Sequence, residues 1–245
     1  MLKSDLTSIM FLDIETVPQT SDFSQLNPEL LHLWEDKFET IHKRMPEKYG
    51  IETTAADAFN TSAGIYAEFG KIVCISVGFI YFKAEEMHFR TKSFYGEDET
   101  KILTDFSALI YKFCISKEHT FCGHNIKEFD IPYICRRMLI NGLKLPTVIN
   151  ISGKKPWEIS FFDTLELWKF GDYKNYTSLK LLTAVFGIPT PKDDIDGSQV
   201  AKVYYHEKNL ERIALYCQKD VVATAQVFLR LNGFNLIEPE NIQFL

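Results

Sequence analysis

A short run near the start constrains this chain more than any other feature. Residues 9 to 14 read Ile-Met-Phe-Leu-Asp-Ile. Apart from Asp13, both faces of the run are apolar, as in a strand buried in the middle of a sheet. Glu15 follows, and Pro18 ends any continuation. Side chains alternate along a strand, so Asp13 and Glu15 point to one face about 6.5–7 Å apart. Two carboxylates cannot be buried side by side without neutralisation. Either the strand ends there in solvent, or a cation meets the pair, and hard divalent cations favour oxygen ligands. Ligands in α/β sheets gather outside the carboxyl ends of strands, where this pair lies.

The rest of the chain supplies what such a strand needs around it. Residues 20 to 66 read as a helical insertion: Asn27-Pro28-Glu29 opens a helix, and Leu30, Leu33, Trp34, Phe38 and Ile41 recur at helical spacing. Lys71 to Phe82 and Glu86 to Phe94 are rich in β-branched and aromatic residues and read as a hairpin. A helix is expected over 97–114, a short strand over 119–122, a helix over 131–139 and a buried strand over 159–162. A long helix is expected over about 209–231. This order implies an α/β fold with a mixed sheet and helices on both faces. The 245 residues suit one domain, 1–245, carrying the insertion. The longest uncharged apolar run, Ile72 to Phe82, is too short to span a membrane. Five cysteines without a Cys-x-x-Cys pair read as free thiols of a reducing, cytoplasmic environment. The net charge of −6 argues against a protein that grips duplex nucleic acid by charge alone.

Two more carboxylates sit where cores are expected. Asp130, in His-Asn-Ile-Lys-Glu-Phe-Asp, suits a helix N-cap with Pro132 in the first turn. It equally suits an active site at a helix start after a strand. Tyr216 and Asp220 stand at i and i+4 on the last helix and border its apolar stripe of Ile213, Cys217, Val221 and Phe228. That position serves a solvated edge or a site. Asp163 and Glu166 have the spacing of a capping box. Asp193, Asp194 and Asp196 fail the register of a calcium loop and read as surface. His124 has no second histidine at ligand spacing and reads as structural. No Gly-x-Ser-x-Gly elbow or Gly-x-x-x-x-Gly-Lys loop is present.

In combination these residues resemble a known order. Phe11-Leu-Asp13-Ile-Glu15-Thr16, Asn125-x-x-x-Phe129-Asp130 and Tyr216-x-x-x-Asp220 resemble the three motifs of the DEDDy branch of DnaQ-like 3′→5′ exonucleases. Phe69-Gly-Lys-Ile-Val-Cys-Ile-Ser-Val, Ser178-Leu-Lys-Leu-Leu and the stretch 191–200 look like predicted 3′→5′ exonucleases related to the proofreading domain of family-B DNA polymerases. The resemblance covers about residues 8 to 232. It implies a ribonuclease H-like fold, a five-stranded sheet with its second strand antiparallel to the rest. It implies that Asp13, Glu15, Asp130 and Asp220 hold two divalent ions, Mg²⁺ or Mn²⁺, and that Tyr216 positions the attacking water. Thr16 and Asn125 match positions from which relatives reach the substrate. The activity so implied is 3′→5′ hydrolysis of single-stranded nucleic acid, DNA favoured, to nucleoside 5′-monophosphates by a free-standing nuclease. Lys127, Arg136, Arg137, Lys154, Lys155 and Lys180 are candidate phosphate contacts. A catalytically weak nucleic-acid-binding module, or a small-phosphoester hydrolase on the same fold, are the competing expectations.

Overall fold

The computed structural model describes residues 2–172, 176–189 and 195–245. The buried run forms strand β1 (Ile9–Pro18), the longest-range organiser of the sheet. The insertion follows as helices α1 (Pro28–Arg44) and α2 (Ala55–Ser62). Asn27 opens α1 as expected, its Oδ1 accepting from the Leu30 amide at 2.8 Å. Thr54 and Asp57 cap α2 reciprocally. The insertion has a small core of its own, in which Trp34 is fully buried against Phe59 and Phe69 and donates its indole N–H to the Ala55 carbonyl at 2.7 Å.

Strands β2 (Gly70–Lys83) and β3 (Glu86–Tyr95) form the hairpin. Its two-residue turn, Ala84-Glu85, has both φ values positive, the twist that flanking strands require even without glycine. Helix α3 (Glu99–Phe113), strand β4 (Thr120–Gly123) and helix α4 (Asp130–Ile140) come next. Then follow strand β5 (Phe162–Asp163) and helices α5 (Thr164–Lys169), α6 (Leu179–Val185) and α7 (Val200–Lys202). A π-helical turn, Val203–Glu207, leads into helix α8 (Leu210–Leu231). Strand β6 (Ile242–Phe244) ends the chain as given.

Among the described residues the sheet has six strands in the order β5-β4-β1-β2-β3-β6. Only β2 runs against the others, as expected. The count of five is corrected by β6, three residues of modest hydrophobicity that pair with Phe89–Thr91 and that no periodicity announces. The strand expected over 159–162 is also corrected. Only Phe162 and Asp163 pair with β4, at Cys122 and Gly123, while the Ser160 carbonyl accepts from the Thr120 hydroxyl at 3.0 Å and not from the backbone ladder. Asp193 and Asp194 lie outside the described residues.

The helices sandwich the sheet. Met10, Leu12 and Ile14 of β1 face α3 and α4, whereas Ile9 and Phe11 face α8. Helix α8 lies close over the sheet at Gly78. A Cβ there would sit 2.2 Å from the Phe89 ring and 2.8 Å from a Val221 methyl. A buried ion pair ties the far layer together. Arg137 of α4 donates to both Glu99 oxygens at 2.9 and 2.6 Å and to the Ala67 carbonyl at 2.8 Å. Glu99 of α3 also accepts from the Ile72 amide at 2.7 Å and from Asn141 at 3.0 Å. One guanidinium therefore joins α3, α4, the exit of the insertion and the start of β2. Arg137, expected as a phosphate contact, has no face left for substrate.

Removing one partner leaves the other charge buried and uncompensated. Arg137→Ala is expected to lower unfolding free energy by about 3–5 kcal/mol in a urea titration. A loss below about 1 kcal/mol, the range of a surface pair, would contradict the role given to this ion pair.

Candidate active site

The site lies at the carboxyl ends of β1 and β4, where three elements bring acidic side chains together. Asp13 and Glu15 project from β1 toward α8, as alternation requires. Opposite them the β1–β2 register slips between Glu15 and Thr16, so that Glu15 pairs with Cys74 and Thr16 with Ile72. The extra residue, Val73, leaves Val73 and Cys74 both in the cluster that packs under α8. Asp130 begins α4 and is only 3% exposed. It is no N-cap: Phe129 holds that position without a side-chain cap, and the Asp130 carboxylate faces the amides of Asp130 and Ile14. Tyr216 and Asp220 come from the second and third turns of α8, with the phenol donating a hydrogen bond to Asp220.

These groups lie close enough to disturb one another. Burial pushes the Asp13 carboxyl well up, and the charges of Asp220 and Asp130 push it further. Glu15, 7% exposed, is raised by burial and then by Asp13 and Asp220. Burial raises Asp130 to about 7, although amide hydrogen bonds oppose the shift. Burial and then the neighbouring carboxylates hold the Tyr216 phenol far above its usual range. Titratable groups displaced this way in one place mark a functional-site candidate. Ligand atoms of Asp13, Glu15 and the Cys217 sulfur lie within 4.8 Å of one another. Such a set, with Asp130 and Asp220 beside it, fits a divalent cation.

The supporting contacts are specific. Asp163 caps α5 as expected, Oδ1 accepting from the Leu165 and Glu166 amides. It also accepts from the Asn125 and Lys127 amides at 2.9 and 3.2 Å. One buried carboxylate thereby fixes the turn between β4 and Asp130. Glu166 does not complete a capping box; it pairs with Lys127 at 2.5 Å. Asn125 takes a left-handed φ of 67°, which its short polar side chain tolerates. His124 is structural: Nε2–H donates to the Thr177 carbonyl at 2.9 Å, so Nδ1 accepts from Thr164.

The other expected residues are placed as follows. Thr16 alternates to the opposite face of β1 from the carboxylates, and its hydroxyl bonds the Tyr133 oxygen. Tyr133 in turn donates to the Gly64 carbonyl at 2.7 Å. Lys154 lines a hollow with Cys114–Lys117 and His119, before β4 begins and at the opposite end of the sheet from the acidic cluster. Lys155 lies over the Trp157 ring in the same loop. Sequence reasoning missed three groups. Cys217 read as one residue of an apolar stripe, yet its sulfur lies 3.3 Å from Asp13 Oδ2. Tyr176 is 67% exposed, its ring lies 6.3 Å from that of His124, and Asp130 and Asp163 raise its phenol after burial does. Tyr205 donates to the Pro18 carbonyl at 2.5 Å, and Lys71 lies over the rings of Tyr204 and Tyr205 at 4.8 and 5.4 Å. No spacing rule links these residues to β1, because the fold alone brings them there.

The family described as predicted 3′–5′ exonucleases related to the exonuclease domain of PolB matches residues 65–238. That stretch contains Asn125, Asp130, Tyr216 and Asp220 and begins after Asp13 and Glu15. No curated protein matches the chain. Among solved structures, the chain is similar to the family B DNA polymerase from the hyperthermophilic archaeon Pyrobaculum calidifontis, at 14% identity and a TM-score of 0.50. The likeness covers 90% of this chain and 24% of that one, and at this identity it concerns the fold.

A carboxyl group with a raised pKa in the folded state favours folding only while it is protonated. Asp130 ionises near pH 3.9 in an unfolded chain and near 7 in the folded one. Stability is therefore lost as pH rises between those values, and the penalty is complete above about 7. In chelator, the melting temperature is expected to fall from pH 5 to pH 8, and Asp130→Asn is expected to flatten that fall. An equal slope in both proteins would remove Asp130 as the source.

Proposed function

The chain belongs to the family of predicted 3′–5′ exonucleases related to the exonuclease domain of PolB, and from that premise we propose that its acidic cluster hydrolyses the terminal phosphodiester of a single-stranded nucleic acid, DNA in preference to RNA. The observation that carries this reading is the convergence of Asp13, Glu15, Asp130 and Asp220, from a strand and two helices, on one point at the end of the sheet. Asp13, Glu15, Asp130 and Asp220 would hold two divalent cations, Mg²⁺ or Mn²⁺. When bound, such a pair lowers the pKa of a water ligand and stabilises the leaving 3′-oxygen of an in-line displacement.

The chain's own groups do the rest. Asp13, at the centre of the cluster, feels both Asp130 and Asp220 and bridges the two halves of the site. Tyr216 keeps its proton, because every neighbour that shifts it opposes ionisation. It is therefore an orienting group and not a general base: it holds its own proton toward Asp220 and offers its oxygen to the attacking water. The product is a nucleoside 5′-monophosphate, since water attacks phosphorus and the 3′-oxygen departs. Aromatic groups flank the acidic centre along the sheet order. Tyr176 stands on the β4 side, and Tyr204 and Tyr205 with Lys71 stand on the β2 side. Bases stack on such rings without sequence preference, which suits a frayed single strand.

The test uses 5′-labelled single-stranded DNA and matching RNA with Mg²⁺, Mn²⁺ or chelator. A ladder shrinking from the 3′ end, dependent on metal and absent in Asp13→Ala, is the expected result. Binding without degradation would move the reading to a non-catalytic module, and activity on dinucleotides equal to that on longer strands would move it to a small-phosphoester hydrolase. Tyr216→Phe is expected to lower kcat by about 10- to 100-fold while cation binding, read by calorimetry, persists. Wild-type turnover in that variant would take Tyr216 out of the reaction. Tyr176→Ala is expected to raise KM for a single strand by about 5- to 150-fold, the loss of one stacked base, with a smaller change in kcat. An unchanged KM would place the strand elsewhere.

A further inference from the structure

The acidic cluster is not lined by oxygen alone. Cys217 is fully buried in the second turn of α8, and its sulfur lies 3.3 Å from Asp13 Oδ2 and 3.4 Å from the Asp13 carbonyl. Its sulfur and one oxygen each of Asp13 and Glu15 lie within 4.8 Å of one another. A second thiol, Cys74, lies within hydrogen-bonding reach of Cys217 and pairs across the sheet with Glu15. Glu15 supplies an independent observation. Its side chain is 7% exposed and turned toward Asp13 and Asp220, and among the described residues no hydrogen bond reaches its carboxylate. Enclosed to this degree and without a donor, the carboxylate keeps only the access that opens on the cluster, and a cation there would offset the charge it holds beside Asp13.

The ligand chemistry selects the cation. Mg²⁺ takes oxygen donors in a near-octahedral shell and has no use for sulfur. Zn²⁺ takes thiolate and carboxylate together, with Zn–S about 2.3 Å and Zn–O about 2.0–2.2 Å. In a tetrahedral shell those lengths separate a sulfur and an oxygen by about 3.5 Å, close to the 3.3 Å between Cys217 and Asp13.

We propose that Asp13, Glu15 and Cys217 form a thiophilic site that captures Zn²⁺ and arrests the hydrolysis proposed above. The proposal rests on that reading, since Asp13 and Glu15 serve both cations. Zinc binding releases the thiol proton to solvent and engages the Asp13 and Glu15 oxygens that a hard cation would otherwise use. Affinity follows the divalent order, in which Zn²⁺ exceeds Mn²⁺ at any such site, and sulfur widens the gap. The cluster thereby becomes sensitive to free zinc as well as to magnesium.

The experiment uses Co²⁺ as a spectroscopic substitute for Zn²⁺, with the whole chain and with Cys217→Ser and Cys217→Ala. The wild-type protein is expected to give a thiolate-to-cobalt charge-transfer band that stoichiometric Zn²⁺ abolishes. Both variants are expected to lose the band and to bind Zn²⁺ about 10- to 100-fold more weakly by competition with a chelating dye. Their thermal stabilisation by Mn²⁺ is expected to survive, which reports both the fold and the oxygen ligands. Mn²⁺ stabilisation with no cobalt band in the wild type, or with unchanged zinc affinity in both variants, would overturn the thiophilic site and leave the exonuclease reading intact. Absence of binding by every divalent ion would overturn both.

Discussion

Like charge held in a dry place governs this structure. Asp13, Glu15 and Asp130 each sit where burial and neighbouring carboxylates favour the protonated form. Left to themselves, such groups would turn to solvent or take up protons. They stay together because the elements that carry them are fixed by contacts elsewhere. β1 is locked between β2 and β4, and α8 is seated on Gly78 and Phe89. The stability stored in the apolar layers is large enough to carry a local electrostatic penalty, as is usual where function requires an unfavourable arrangement.

The fixing contacts are themselves polar and fully engaged. Asp163 accepts from four backbone amides and thereby sets the turn that delivers Asp130. Glu99 and Arg137 bind four segments through one buried pair. Tyr133 carries the same frame across to Gly64 and Thr16. These three nodes share α4 or the turn before it. Asp130 is therefore the most constrained of the four carboxylates, whereas Tyr216 and Asp220 depend on how α8 lies over the sheet. A single structural cause, the position of α4, connects the insertion after β1 to the geometry of the site.

Much of this was legible in the residues, for definable reasons. Apart from Asp13 the run 9–14 is apolar on both faces, so the central strand and the carboxylates at its end were legible. The i, i+4 relation of Tyr216 and Asp220 is a property of any helix. What stayed hidden depends on distances across the fold. Arg136 and Arg137 are alike in sequence, yet one is exposed and the other is enclosed by Glu99. Cys217 fits the apolar stripe of α8 so well that its approach to Asp13 has no signature. Strand β6 is three residues long and is recruited only because β3 offers an open edge.

The acidic balance of the chain takes on a different meaning once the site is drawn. A chain of net charge −6 should repel a polyanion at long range. Four of the carboxyl groups in that formal count converge at the proposed centre, and two dications would balance their charge on ionisation where the scissile phosphate arrives. What remains near the centre is mixed: Lys71 stands among the tyrosines of the π-helical turn, and Lys127 is paired to Glu166. On the proposed reading, attraction is short-ranged and conditional on metal. Such a surface has little hold on duplex, whose grip depends on many simultaneous phosphate contacts. A strand end that places one phosphate on the cations and its bases on aromatic rings needs few of them. Selectivity for ends over interiors then follows from where the charge is, and no residue has to read sequence.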